Sequence, residues 1–213
     1  RIFHFCSSIS HVVSHALRQP TYSCIVILNP TKETVAVPTD TLLHMTSGNV
    51  TLENLRKEFD DVVAVNGIDL EINAGEFFTI LGPSGCGKTT TLRMIAGLET
   101  PTSGEVYISG ERVTPFPANK RNTSIVFQEW ALFPHMSVGE NIAFGLEMQG
   151  VPKAERKDRV AEALELVELP GYQDRGANEL SGGQKQRVAM ARSIVQEPDV
   201  LLLDEPLASL DRA

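Results

Sequence analysis

Apolar residues recur along this chain in short runs of two different periods. Val50 to Leu55 and Val62 to Ile72 read as β segments, separated by the polar Arg56-Lys57-Glu58 and Asp60-Asp61, with Asn66-Gly67 able to turn the chain. Together they predict a small antiparallel layer. After the turn Asn73-Ala74-Gly75-Glu76, the run Phe77-Phe78-Thr79-Ile80-Leu81 predicts a buried strand, and a helix follows from Lys88 to about Gly97. Glu105 to Ile108 and Ser124 to Phe127 predict further short strands on either side of a loop marked by Pro115 and Pro117. Glu129 to Gly150 mixes Trp130, Phe133 and Phe144 with Pro134 and Gly139, as a partly exposed apolar surface leading into a short helix. Pro152 to Leu169 is a clearer helix: Val160, Leu164 and Val167 form its stripe, Glu155 and Arg159 stand four apart, and Pro170-Gly171 stops it. Ser181, at an N-cap position, opens another helix with Val188, Ala191 and Val195 toward a core. Val200-Leu201-Leu202-Leu203 is a short apolar strand.

Strands alternating with helices make an α/β chain. With 213 residues, 42% of them apolar, the chain can bury one or two cores. A formal charge of −8 argues against nucleic acid as a partner, because the overall field has the wrong sign. Cys6, Cys24 and Cys86 form an odd count without metal-ligand spacing, which disfavours a disulfide framework and fits a reducing compartment. Apolar runs such as Cys24-Ile25-Val26-Ile27-Leu28 fall far short of the ~20 residues a membrane-spanning helix needs.

Residues 1 to 44 differ from the rest. They hold His4, His11, His15 and His44, four of the five histidines, with few charges and no amphipathic period. The serines and histidines from Ser7 to His15 interrupt any signal-peptide core, and the histidines lack paired metal-ligand spacing. The expectation is an atypical amino-terminal extension, disordered or not native, with Met45 opening the domain proper.

The chemistry centres on Gly82-Pro83-Ser84-Gly85-Cys86-Gly87-Lys88-Thr89-Thr90, a Gly-x-x-x-x-Gly-Lys-Thr spacing placed where a buried strand turns into a helix. Gly82, Gly85 and Gly87 permit the backbone angles that aim successive N–H groups inward, and the new helix adds the positive end of its dipole. In such a loop Lys88 reaches β- and γ-phosphates and the Thr89 hydroxyl ligates Mg²⁺. Gln128 follows an apolar strand, where ligands sit in nucleotide-binding sheets. Leu180-Ser181-Gly182-Gly183-Gln184 starts a helix with a hydroxyl and two glycines that bare the backbone N–H groups, a second anion site or else a poorly capped helix. At the tip of the last strand, Asp204 is suited to hold Mg²⁺ and Glu205 to polarise an attacking water.

In this order and spacing, the phosphate loop, Gln128, Leu180 to Gln184, Val200 to Glu205 and Ser209-Leu210-Asp211 resemble the nucleotide-binding subunit of ATP-binding cassette (ABC) transporters, over about residues 46 to 213. Gly75 to Gly97 and Val126 to Met136 look like the importer subunits for spermidine/putrescine, with ferric-ion, sulfate and maltose importer subunits close behind. The resemblance implies a P-loop NTPase core with a mostly parallel sheet, a small antiparallel β layer and an inserted α-helical subdomain at about 129–180, all within a domain of residues 45–213. It further implies that Phe59 stacks on adenine beside Val65, that Gln128 senses the γ-phosphate and Mg²⁺, that Asp204 orders the metal and that Glu205 is the general base. Ser181, Gly182, Gly183 and Gln184 would bind the γ-phosphate of ATP held by a second subunit in a head-to-tail dimer, with Asp211 near the seam. Leu132 to Val138 would grip a membrane permease, served in turn by a solute-binding protein, on the cytoplasmic membrane face.

One departure accompanies the resemblance. Family members carry a switch histidine after the position of Asp211, and usually a carboxy-terminal β domain; the sequence stops short of both, and His135 sits in the permease-facing loop instead. A domain incomplete at its carboxy end is therefore expected, with ATP binding encoded and poor hydrolysis by this piece alone. The alternatives are an ATPase for a different solute, a soluble ABC ATPase of DNA repair or translation, and a non-catalytic remnant that binds nucleotide or a partner only.

Overall fold

The structure is a computed structural model that describes the backbone of residues 24–28, residues 48–127 and residues 130–204, the side chain of Phe77 excepted. Gln128, Glu205 and Asp211 lie outside the described residues. The chain divides into two compact units. Among the described residues, one spans 24–123 and 199–202, and the other spans 124–198 and 203–204.

Eight strands are described: β1 Cys24–Leu28, β2 Val50–Phe59, β3 Val62–Ile72, β4 Phe77–Ile80, β5 Ser103–Ile108, β6 Glu111–Arg112, β7 Thr123–Val126 and β8 Val200–Asp204. Their hydrogen bonds give the order β4-β1-β8-β7 in one sheet and β3-β2-β5-β6 in the other. The second sheet is the antiparallel layer expected from sequence, but its hairpin is built differently. Strand β2 continues through Arg56-Lys57-Glu58, with register shifts against β3 on both sides of Lys57, and the chain turns at Asp60-Asp61, with Phe59 paired to Val62. Asp60 takes the turn at φ 49, a left-handed conformation that aspartate tolerates. Asn66-Gly67 stays inside β3. The polar triplet can remain in a strand because its charges find partners: Arg56 with Glu58 and Asn66, and Lys57 with Glu99 at 2.6 Å.

The phosphate-loop sheet carries a second departure. β1 falls in the segment for which sequence predicts no element, and it pairs antiparallel with β4 in the register Cys24↔Ile80 to Ile27↔Phe77. A neighbour outside the strand-helix-strand succession has no crossover helix to impose a parallel direction. The rest of this unit is built on helix α1, Lys88–Ala96, whose Leu92, Met94 and Ile95 are fully buried along with Val50, Leu55, Ile72 and Val106 of the strands.

Among its described residues the other unit contains three α-helices, α2 Val138–Met148, α3 Lys153–Leu166 and α4 Gly182–Ile194, packed against one another. Val138, Ile142 and Leu146 of α2, Val160 and Leu164 of α3, and Val188 and Ala191 of α4 are buried. Each large aliphatic side chain buried in this way contributes about 1.5–3 kcal/mol. Gly145 lets α2 approach the segment after α4, since a Cβ there would lie 2.4 Å from Cδ of Gln196. Arg159 joins α3 to the same segment, donating to the carbonyl of Val195 at 2.8 Å and to Glu197 at 2.9 Å; its expected partner Glu155 is 3.7 Å away.

Candidate nucleotide-phosphate site

The loop between β4 and α1 closes around Lys88. This lysine is only 6% exposed, and its ammonium donates to the carbonyl oxygens of Gly82 and Pro83, both at 2.8 Å, with Sγ of Cys86 at 3.6 Å. A buried ammonium is tolerated only when its protons find acceptors. Here the loop backbone supplies them, so the loop takes its curvature from the charge at its centre.

Gly87 is the N-cap of α1, at φ 91, and no side chain caps the helix. A Cβ at this position would come within 2.3 Å of the Ala64 carbonyl oxygen and 3.1 Å of Cγ2 of Val65, so conformation and space both require glycine. Gly82 is constrained by space alone, its Cβ position lying 2.6 Å from Sγ of Cys86. Gly85, at φ 83, has open space around it and is constrained by conformation. These features put the uncapped start of a nine-residue helix and a lysine ammonium in one exposed loop, an arrangement that suits a polyanion. Thr89 and Thr90 occupy the first turn of α1, and Thr91 turns inward to donate to the Gly87 carbonyl at 3.0 Å.

At the other end of α1 the structure reveals a residue that sequence reasoning missed. Arg121 is 7% exposed and donates to the last carbonyls of the helix, Met94 at 2.6 Å and Ile95 at 2.9 Å, and to those of Phe116 at 2.9 Å and Thr114 at 3.2 Å. Burial lowers its pKa. The guanidinium remains charged and opposes the negative end of the helix dipole. Nothing in the run Asn119-Lys120-Arg121 distinguishes this arginine from a surface one.

Phe59 ends β2 and is 44% exposed, with Lys57 Nζ 4.7 Å from its ring centre. Val65, expected beside adenine, is 3% exposed and packs under the phosphate loop next to Gly87. Its place is beneath the glycine backbone, because that is where the loop has no side chain of its own.

Ser181 to Gln184 belongs to the other unit, and Ser181 is the N-cap that the sequence predicts, so the alternative of a poorly capped helix does not hold. Ser181 Oγ accepts from the Gln184 N–H at 3.3 Å while Gln184 Oε1 accepts from the Ser181 N–H at 2.9 Å, a reciprocal capping box. The Ser-x-x-Gln spacing carries this signal in the sequence. Gln184 is further held by donating Nε2 to the Tyr172 hydroxyl at 3.2 Å. The cap uses a lone pair of the serine oxygen, so the hydroxyl proton can still be donated. Around Gly183 the Cβ position meets nothing within 4 Å, whereas that of Gly182 meets the Trp130 ring at 3.4 Å.

The loop leading from Trp130 to Ser137 is fixed by a buried asparagine and a half-buried arginine. Asn141, fully buried, donates to the carbonyls of Phe133 at 3.1 Å, Met136 at 3.3 Å and Ser137 at 2.9 Å, and accepts from the Phe133 N–H at 2.8 Å. Arg192, its pKa lowered by burial, donates to the carbonyls of Ala131 at 2.8 Å and Trp130 at 3.3 Å. Asp204 closes β8 at 5% exposure, at the end of a strand buried throughout, as its run of apolar residues suggests.

Comparison with known proteins gives the family. The family model described as ABC transporter matches residues 65–208. The protein named Fe(3+) ions import ATP-binding protein FbpC from Pasteurella multocida is 57% identical over 160 residues, covering 75% of this chain and 46% of that protein. The protein named Spermidine/putrescine import ATP-binding protein PotA from Rubrobacter xylanophilus is 57% identical over 162 residues, covering 76% of this chain and 43% of that protein. The chain thus spans less than half the length of these relatives. Among solved structures, a dimeric bacterial ABC transporter cassette, MJ0796, aligns with a TM-score of 0.65 and 34% identity over 70% of both chains. Its post-hydrolysis dimer, described as bound to ADP and Pi, aligns with a TM-score of 0.64 at the same identity and coverage. The chain has the α/β fold of these cassettes, and it belongs to the ABC transporter family.

Proposed function

We propose that this chain binds Mg-ATP at Gly82–Thr90 and hydrolyses it as the energy subunit of an importer. The observation that carries the reading is the Lys88 ammonium, buried in the loop and held by Gly82 and Pro83 at the uncapped start of α1. Those residues fit a triphosphate: the ammonium and the first-turn N–H groups of α1 attract its oxygens, and the glycines leave room for close approach. Thr89, Gln128 and Asp204 would hold Mg²⁺, which neutralises charge on the β- and γ-phosphate oxygens. The Phe59 ring would stack on the base.

In the reaction, the oxygen of a water attacks the γ-phosphorus as the bond to ADP breaks. Glu205 takes the proton that the water loses, and Gln128 orients the water. Ser181, through its hydroxyl proton, and the N–H groups of Gly182 and Gly183 would meet the γ-phosphate of ATP bound to a second copy packed head to tail, with Gln184 holding their geometry. Loss of the γ-phosphate removes that bridge and lets the pair open, which turns chemistry into motion.

The partners are a second nucleotide-binding subunit, permease subunits contacting Leu132 to Val138, and indirectly a solute-binding protein. In this reading the chain would work peripherally on the cytoplasmic face of the membrane. No helix among the described residues is long and apolar enough to cross a bilayer. Residues 45–213 form the nucleotide-binding domain in this reading, with the helical subdomain at about 129–180 and residues 1–44 as an atypical extension. For the solute, relatives named for ferric-ion and for spermidine/putrescine import are equally identical at 57%, so polyamine is one candidate beside ferric ion, with sulfate and sugars as further alternatives.

Mg-ATP hydrolysis compared between the full chain and Glu205→Gln tests the reading. A fall of about a hundredfold or more with ATP binding retained is expected. Equal rates would remove Glu205 from the mechanism.

A further inference from the structure

We propose that Lys57 is a positioning residue that fixes the Phe59 ring as a one-sided platform for the base of the nucleotide. The inference rests on the reading of the site as one for ATP and adds a residue to it. Lys57 stands two positions before Phe59 on β2, so both side chains leave the same face of the strand. Its side chain is only 14% exposed, and its ammonium lies 4.7 Å from the centre of the Phe59 ring. The charge is pinned by Glu99 Oε1 at 2.6 Å and by the Thr100 carbonyl at 2.8 Å. Thr102 holds the same stretch of β2 from both sides of Lys57: its N–H donates to the Arg56 carbonyl at 2.8 Å and its hydroxyl accepts from the Glu58 N–H at 3.0 Å.

An ion pair with Glu99 alone would be satisfied in open solvent, with no need to draw the ammonium onto an aromatic ring. Holding the long side chain in one geometry costs rotamer freedom, and Glu99 and Thr100 compensate for it. The outcome is a ring held by a cation on one face and still 44% exposed. A cation against one face draws on the ring quadrupole, fixing the ring and strengthening its attraction for an electron-rich flat partner on the other. Glu99 and Thr100 follow the phosphate-loop helix just after its Gly97 cap, so the platform and the loop are tied to opposite ends of one helix.

The test is calorimetric titration of the full chain with ATP and with inorganic tripolyphosphate, both with Mg²⁺. Lys57→Met should weaken ATP about threefold to tenfold and change tripolyphosphate by less than about twofold, because only ATP carries a base. Lys57→Arg should restore ATP binding, and Glu99→Gln should lie between. The proposal is overturned if Lys57→Met binds ATP like the parent chain, or if both ligands weaken in parallel, which marks a purely structural lysine. A parent chain that binds neither ligand overturns the ATP reading and this inference together. A parent chain that binds both with equal affinity removes the platform alone. Should Lys57→Met fail to fold, Glu99→Gln carries the same comparison.

Discussion

Arg121 donates to the carbonyl oxygen of Met94 at 2.6 Å, closing the end of the helix whose other end is the phosphate loop. Replacing it with methionine keeps the packing of the stem and leaves the carbonyls of Met94, Ile95, Phe116 and Thr114 without this donor. Arg121→Met is expected to cost about 2–4 kcal/mol in urea unfolding. Nucleotide affinity measured well below the unfolding midpoint should change little, since the loop at the opposite end is untouched.

The glycines of the loop should not be equivalent. Gly87→Ala combines a left-handed backbone with a Cβ 2.3 Å from the Ala64 oxygen, and is expected to abolish ATP binding and cost about 1–3 kcal/mol of stability. Gly85→Ala meets only the conformational penalty, roughly 1–2 kcal/mol, and should retain measurable binding. Thermal shift with and without ATP separates the two.

Ser181 carries two roles that different substitutions separate. Ser181→Ala removes the cap from the Gln184 N–H and should destabilise the helical unit by about 1 kcal/mol. Ser181→Arg should also abolish ATP-driven dimerisation while ATP binding to the monomer persists, read by light scattering beside calorimetry. Loss of both properties would argue against binding in trans.

The buried Asn141 side chain ties α2 to the loop before it through the backbone of Phe133, Met136 and Ser137. Asn141→Ala should cost about 2–3 kcal/mol and release that loop. Trp130 is the single tryptophan, so its emission should report the release directly.

The phosphate loop, the helix from Lys88 and the buried strand ending in Asp204 are legible in the sequence because local spacing determines them. The Ser181 capping box is equally local, though the glycines beside it suggest a bare helix end. The β2–β3 hairpin is harder to place: Asn66-Gly67 is a strong turn signal, while the actual turn at Asp60-Asp61 goes with a cross-strand partner for Arg56, Asn66, and a partner for Lys57, Glu99, in the segment after α1. Arg121 and Asn141 satisfy carbonyls brought to them by the fold, and a lone polar residue in sequence shows nothing of that. Strand β1 depends on pairing with β4, far along the chain, and no local pattern specifies such a partner.

That the Lys88 loop holds the phosphates of ATP is tested most directly by calorimetric titration of Mg-ATP against the full chain and Lys88→Ala, with circular dichroism as a check on folding. The parent is expected to bind, and the folded variant to lose about a hundredfold or more in affinity. A folded Lys88→Ala variant that binds Mg-ATP as tightly as the parent would contradict it.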